Sequence, residues 1–105
     1  MSEGVKMIIE FRIKEKENYT IVHFELKENI TPEILQQLKP PKVDETKGVV
    51  LSGRGPIWLY CYLAHYYHPT KFIATFDPRL GGVITESHAS DYKVGEIIKV
   101  NVNEL

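Results

Sequence analysis

Apolar and polar residues alternate from Val5 to Ile13: Val5, Met7, Ile9, Phe11 and Ile13 take one side, Lys6, Glu10, Arg12 and Lys14 the other. A period of two predicts a half-buried strand. After the polar KEKEN stretch the alternation resumes from Tyr19 to Leu26, where Val22, Phe24 and Leu26 oppose His23 and Glu25. Two such runs around a short polar link predict a β-hairpin. Thr31 then reads as an N-cap with Pro32 at the first helical position, Ile34, Leu35 and Leu38 as an apolar stripe, and Pro40-Pro41 as the stop. The expectation is a short amphipathic helix, followed by the polar connection PKVDETK.

Val49 to Leu51 forms a short apolar run ending at the glycine pair Gly53 and Gly55, and Pro56 suits the first position of a second helix. That helix, Ile57 to about Tyr67, is apolar or aromatic nearly all round, the pattern of a helix covered on several sides or used between subunits. His68 precedes Pro69 and so leaves the helical region. Phe72 to Phe76 reads as a buried central strand. Strand, helix and strand from Val49 to Phe76 predict a right-handed βαβ unit. Val83 to Thr85 returns after the short turn PRLGG and must run antiparallel to its predecessor. Glu96 to Val102, after the turn at Gly95, is the last predicted strand. The expected fold is a small α/β, Rossmann-like domain over residues 1–105, with a mixed sheet, an N-terminal hairpin and two helices.

Charge narrows the choice of function. With 13 basic and 14 acidic residues and a formal charge of -1, no whole-molecule field gathers nucleic acid, so an anionic ligand must be held locally. Cys61 is the only cysteine, which excludes an internal disulfide and a multi-cysteine zinc site and fits a reducing, cytoplasmic setting. No apolar run has the length of a membrane span, and MSEGVKM lacks the layout of a signal peptide. A soluble, unprocessed protein with no membrane partner is expected.

The chemistry concentrates between Ser52 and Gly82. The loops SGRGP and DPRLGG end two parallel strands and so belong to one rim, where ligands of open α/β sheets bind. Gly53 and Gly55 let backbone N–H groups approach an anion, Pro56 opens a helix, and Arg54 and Arg79 carry forked donors suited to phosphate. The same glycines and prolines serve equally to shape turns. Asp77 can orient a 2′-hydroxyl, move a proton, bind a metal, or simply cap the turn at Pro78 and pair with Arg79. His65 and His68, three residues apart, offer a weak helical metal pair. The strand after His68 separates it from Asp77 by roughly 15–25 Å, whereas His88 returns to the edge of His68. Two histidines on one edge can bind a divalent ion or act as general acid and base; a lone exposed histidine can equally have no role.

SGRGP followed by Trp58, the His68-Pro69 pair, and DPRLGG with His88 beyond it resemble the small CRISPR-associated ring nuclease family of type III systems, the third member in the Csx accessory series. The resemblance implies a CRISPR-associated Rossmann-type domain that forms a homodimer, binds cyclic tetra-adenylate or a short adenosine-rich RNA, cleaves phosphodiesters and uses manganese. It implies His68 as a catalytic residue, Asp77 and Arg79 in substrate handling and catalysis, and Ser52, Gly53, Arg54, Gly55 and Pro56 in ligand binding. If manganese is essential, His68 and His88 are its candidate ligands. It also implies higher assembly on ligand binding, with the ligand sandwiched between dimers, which agrees with the opposite-edge placement of His68 and Asp77. A binding module without turnover, or an assembly protein working through Trp58, Tyr60, Tyr62, Tyr66 and Tyr67, are the rival readings.

Overall fold

The period-two segments become strands of one six-stranded mixed sheet in the computed structural model, which describes residues 8–101, 103 and 105. The strands lie side by side in chain order: β1 (Ile9–Glu15), β2 (Tyr19–Leu26), β3 (Gly48–Gly53), β4 (Phe72–Asp77), β5 (Gly81–Ser87) and β6 (Ile97–Ile98). β1 and β2 form the expected antiparallel hairpin, with Phe11 facing Phe24. β2, β3 and β4 are mutually parallel, and β5 and β6 are antiparallel additions. The carboxyl ends of β2, β3 and β4 therefore share one rim, and their amino ends share the opposite edge.

The α/β class and mixed sheet are as expected, but among the described residues the segment after Thr31 is not a second α-helix beside the one after Pro56. The helix after Pro56 is α1 (Ile57–Tyr66). The segment after Thr31 closes only as a five-residue 3₁₀ turn, Pro32–Gln36, with no side-chain cap from Thr31. The segment from Pro32 to Lys39 allows only about two turns, a marginal length for an α-helix, and Lys39, preceding Pro40, is pushed toward extended backbone. The turn still packs Ile34 and Leu35 against the core.

Alternation assigns each face of the sheet. Val22, Phe24, Val49, Leu51 and Ile73 face α1, where they meet Leu59, Leu63 and Tyr67. Ile21, Val50, Phe72, Ala74 and Ile84 face the other way and are covered by Val100, with Tyr92 and Leu105 alongside. Fully burying each of the Val, Leu, Ile and Phe side chains among these stabilises the fold by roughly 1.5–3 kcal/mol relative to exposure. Within α1 only Leu59 and Leu63 are buried, while Ile57 is 83% exposed and Cys61 is exposed. The helix thus lies on one side of the sheet and turns an apolar face outward.

Strand limits differ from the sequence reading at both ends. Val5, Lys6 and Met7 lie outside the described residues; Ile9 is buried in the helix-side cluster, whereas Ile13, further along the edge strand β1, is 44% exposed. The last strand is only Ile97–Ile98, since Val100 leaves the ladder to pack on the open face of the sheet; Val102 lies outside the described residues. Among the described residues no helix is long and apolar enough to cross a membrane.

Candidate functional site

At the amino edge, α1 hands the chain to β4 through a tightly held corner. The buried Tyr67 donates its hydroxyl to the Pro41 carbonyl at 2.6 Å, and Thr70 Oγ1 donates to the Tyr67 carbonyl at 2.7 Å. Burial, with neighbouring Tyr66, pushes the Tyr67 phenol well above its ordinary range, so it stays a donor. His68 emerges from this corner with its backbone N–H on the His65 carbonyl.

Glu86 and His88 come to meet it because β5 is irregular. Ala74 pairs with Ile84 but Ile73 pairs with Glu86, so Thr85 is an extra residue. In a regular ladder Glu86 would oppose Phe72 and share the face of Ile84. The bulge places it opposite Ile73, on the helix side, which is how bulges re-aim side chains. Glu86 Oε2 then lies 2.5 Å from His68 Nδ1 and 2.8 Å from His88 Nε2, with the imidazoles edge to face at 4.7 Å. Burial pushes the Glu86 carboxyl up, but hydrogen bonds from His88 and His68 and their charges outweigh it, so its pKa falls below the ordinary value.

One ligand atom from each of His68, Glu86 and His88 lies within 4.8 Å of the others. Two imidazoles and a carboxylate, all at least partly solvent-accessible, suit a first-row divalent ion that keeps open positions for water or substrate. Manganese fits this donor set. His65 is exposed and outside the group.

The carboxyl rim is built differently. Gly53 has φ +137°, and a Cβ there would lie 2.4 Å from the Phe24 carbonyl oxygen; one on Gly55 would meet the Phe24 ring at 2.7 Å. Both glycines are therefore required by packing on β2. Tyr60 of α1 donates to the Gly53 carbonyl at 2.6 Å, and its ring meets Phe24 edge to face. Ser52 is buried, its Oγ 3.0 Å from His23 Nδ1, whereas Arg54 is exposed beside a surface cavity of about 380 Å³ shared with His23 and Glu25.

Asp77 shapes the β4–β5 turn: its Oδ1 accepts from the backbone N–H groups of Arg79 at 2.7 Å and Leu80 at 3.3 Å. The Arg79 N–H bond, opposed by slight desolvation and reinforced by the Arg79 charge, holds the Asp77 pKa below its ordinary value. The Arg79 side chain is 86% exposed, with Nε 3.6 Å from that same oxygen. Six-residue β4 keeps His68 and Asp77 at opposite ends, about 17 Å apart along the strand.

His68 and His88 thus come together, as do SGRGP and DPRLGG, but on opposite edges. Sequence reasoning missed Glu86, whose spacing of two from His88 is visible but whose facing depends on the bulge. It also left His23 without a role, though the register of β2 with β3 pairs it with Ser52.

Residues 23–99 match the family described as CRISPR-associated protein (Cas_csx3). An uncharacterized protein of Aquifex aeolicus (strain VF5) is 47% identical over 98 residues, covering 88% of each chain.

Proposed function

Because this chain belongs to the Cas_csx3 family of CRISPR-associated proteins, we propose that it is a ring nuclease: a phosphodiesterase that binds and cleaves cyclic tetra-adenylate, the second messenger of type III CRISPR defence, and also binds or trims short adenosine-rich RNA. The observation that carries the reading is the His68–Glu86–His88 group on one edge, facing away from an arginine-bearing rim on the other. Arg54 and Arg79, in their rim loops, bind the phosphates through forked hydrogen bonds. Backbone N–H groups of Gly53 and Gly55, at the N-terminal end of α1, add to that anion site.

Glu86 orients His68 through Nδ1, which leaves Nε2 directed outward to move a proton at the scissile linkage. RNA supplies its own 2′-oxygen for in-line attack, so the protein's task is positioning, charge stabilisation and proton transfer. In the alternative route manganese, held by His68, Glu86 and His88 in place of their mutual hydrogen bonds, would supply charge neutralisation at the phosphate. With the two edges about 17 Å apart, rim and histidines act on one phosphate only when homodimers stack on the ligand, one presenting its rim and the next its histidines. The same separation within one chain favours the second reading, a sensor that binds through the rim without turnover.

The test is cleavage of cyclic tetra-adenylate by wild type, His68→Ala and Glu86→Gln over a protein titration, with manganese or chelator. The expected outcome is a rate rising more steeply than linearly with protein, at least 100-fold slower in His68→Ala, a typical loss for a general acid–base residue. Undiminished binding with no turnover under any condition would leave the sensor.

A further inference from the structure

His23 is a mostly buried titratable group outside the cleavage chemistry just described. Its side chain is 17% exposed and lies on the sheet face away from α1, opposite Arg12 of β1 and Ser52 of β3. Nδ1 is 3.0 Å from Ser52 Oγ, and Nε2 is 3.9 Å from Glu25 Oε2. The nearby carboxylate favours the proton on Nε2, which leaves Nδ1 as acceptor and the Ser52 hydroxyl as donor. Ser52 is 2% exposed, so its hydroxyl has no water to turn to if that acceptor is lost.

Ser52 is also the first residue of the SGRGP loop. The next residue, Gly53, is pinned by Tyr60 at its carbonyl and by Phe24 beneath it. The loop that carries Arg54 is therefore held at three points, and of these only the His23 point can gain a proton as pH falls.

We infer that His23 is a positioning residue for the Ser52–Pro56 loop: its neutral ring holds Ser52 and keeps Arg54 poised for an anionic ligand, and protonation of the ring releases the loop. This rests on the proposal that the loop binds such a ligand. A proton on Nδ1 reverses that bond: Nδ1–H donates to Ser52 Oγ, and the buried Ser52 O–H loses its acceptor. Around the ring stand Arg12 and Lys14 from β1, Glu25 from β2 and Arg54 beyond β3, with Leu105 closing the cavity on the β1 side. Burial and the Arg12 charge disfavour the imidazolium and Glu25 partly offsets them, so the ring titrates below its ordinary value of 6.5.

The experiment measures binding of linear tetra-adenylate RNA by fluorescence anisotropy from pH 5 to 8, in wild type, His23→Asn, His23→Ala and Arg54→Ala. Asparagine keeps an acceptor close to the position of Nδ1 but does not titrate. Wild-type affinity should weaken about three- to tenfold on acidification, the scale of one hydrogen bond. His23→Asn should bind like wild type at pH 7.5 without the acid loss, and His23→Ala should bind about three- to tenfold more weakly at pH 7.5. Amide hydrogen exchange at residues 53–55 is followed in parallel and needs no ligand, so a variant that does not fold is recognised there.

If wild type binds and Arg54→Ala does not, while His23→Asn keeps the acid loss, the positioning role is overturned and the ligand site survives. If nothing binds, the ligand reading fails. The exchange data then decide the role of His23: faster exchange at 53–55 in His23→Ala than in wild type and His23→Asn at pH 7.5 supports it, and equal exchange sinks it.

Discussion

Single residues in this protein are constrained by what lies beneath them more than by their own conformational preference. Gly53 and Gly95 make the contrast measurable. Both have positive φ, +137° and +95°, but a Cβ on Gly53 would strike the Phe24 carbonyl and ring, whereas one on Gly95 would meet nothing within 4 Å. Gly95→Ala therefore carries only the conformational penalty, about 1 kcal/mol. Gly53→Ala adds overpacking against β2 and should cost about 3 kcal/mol in urea denaturation. Equal losses would mean that the loop is free to move off Phe24. Asp77 has a similarly local duty, since its carboxylate closes the turn that projects Arg79.

At the scale of elements, the decisive feature is the bulge in β5. Thr85 is the residue that swings Glu86 from the face of Ile84 to the face of Ile73. Glu86→Ala keeps the bulge and the ladder but removes the carboxylate that the bulge sets between His68 and His88. The expected result is at least tenfold weaker Mn2+ binding, followed by electron paramagnetic resonance titration, with the circular dichroism of the sheet preserved. Unchanged affinity would mean that Glu86 contributes nothing to the ion. Helix α1 acts at the same scale: Leu59 and Leu63 fasten it to the sheet, and its end sets the origin of His68.

Across the whole molecule, stability should depend on pH through the burial of His23. The ring's pKa is lowered by burial and by Arg12, so between 6.5 and the lower folded value the unfolded chain binds a proton that the folded chain refuses. This contribution is fully present above pH 6.5 and is lost as pH falls through the folded value. Urea midpoints should drop between pH 7.5 and 5.5 in wild type, and less in His23→Asn. Asp44 and Asp77, whose values are depressed chiefly by hydrogen bonds to Thr46 and to the Arg79 N–H, act in the same direction only as pH falls below about 3.8. An equal drop in both proteins would assign the near-neutral dependence to other groups.

The sequence by itself determined the hairpin, the parallel β3–α1–β4 unit, the shared rim of SGRGP and DPRLGG, and the separation of His68 from Asp77. Each follows from local periodicity and strand polarity, which a chain carries in its order of residues. The tertiary structure alone decided that the segment after Thr31 stops at a 3₁₀ turn, that Val100 leaves the last strand for the sheet face, that Ser52 is held by His23, and that Glu86 joins the histidines. These depend on cross-strand register and on competition for buried surface. A one-residue bulge reverses the facing of everything beyond it, and no local pattern at Thr85 announces it.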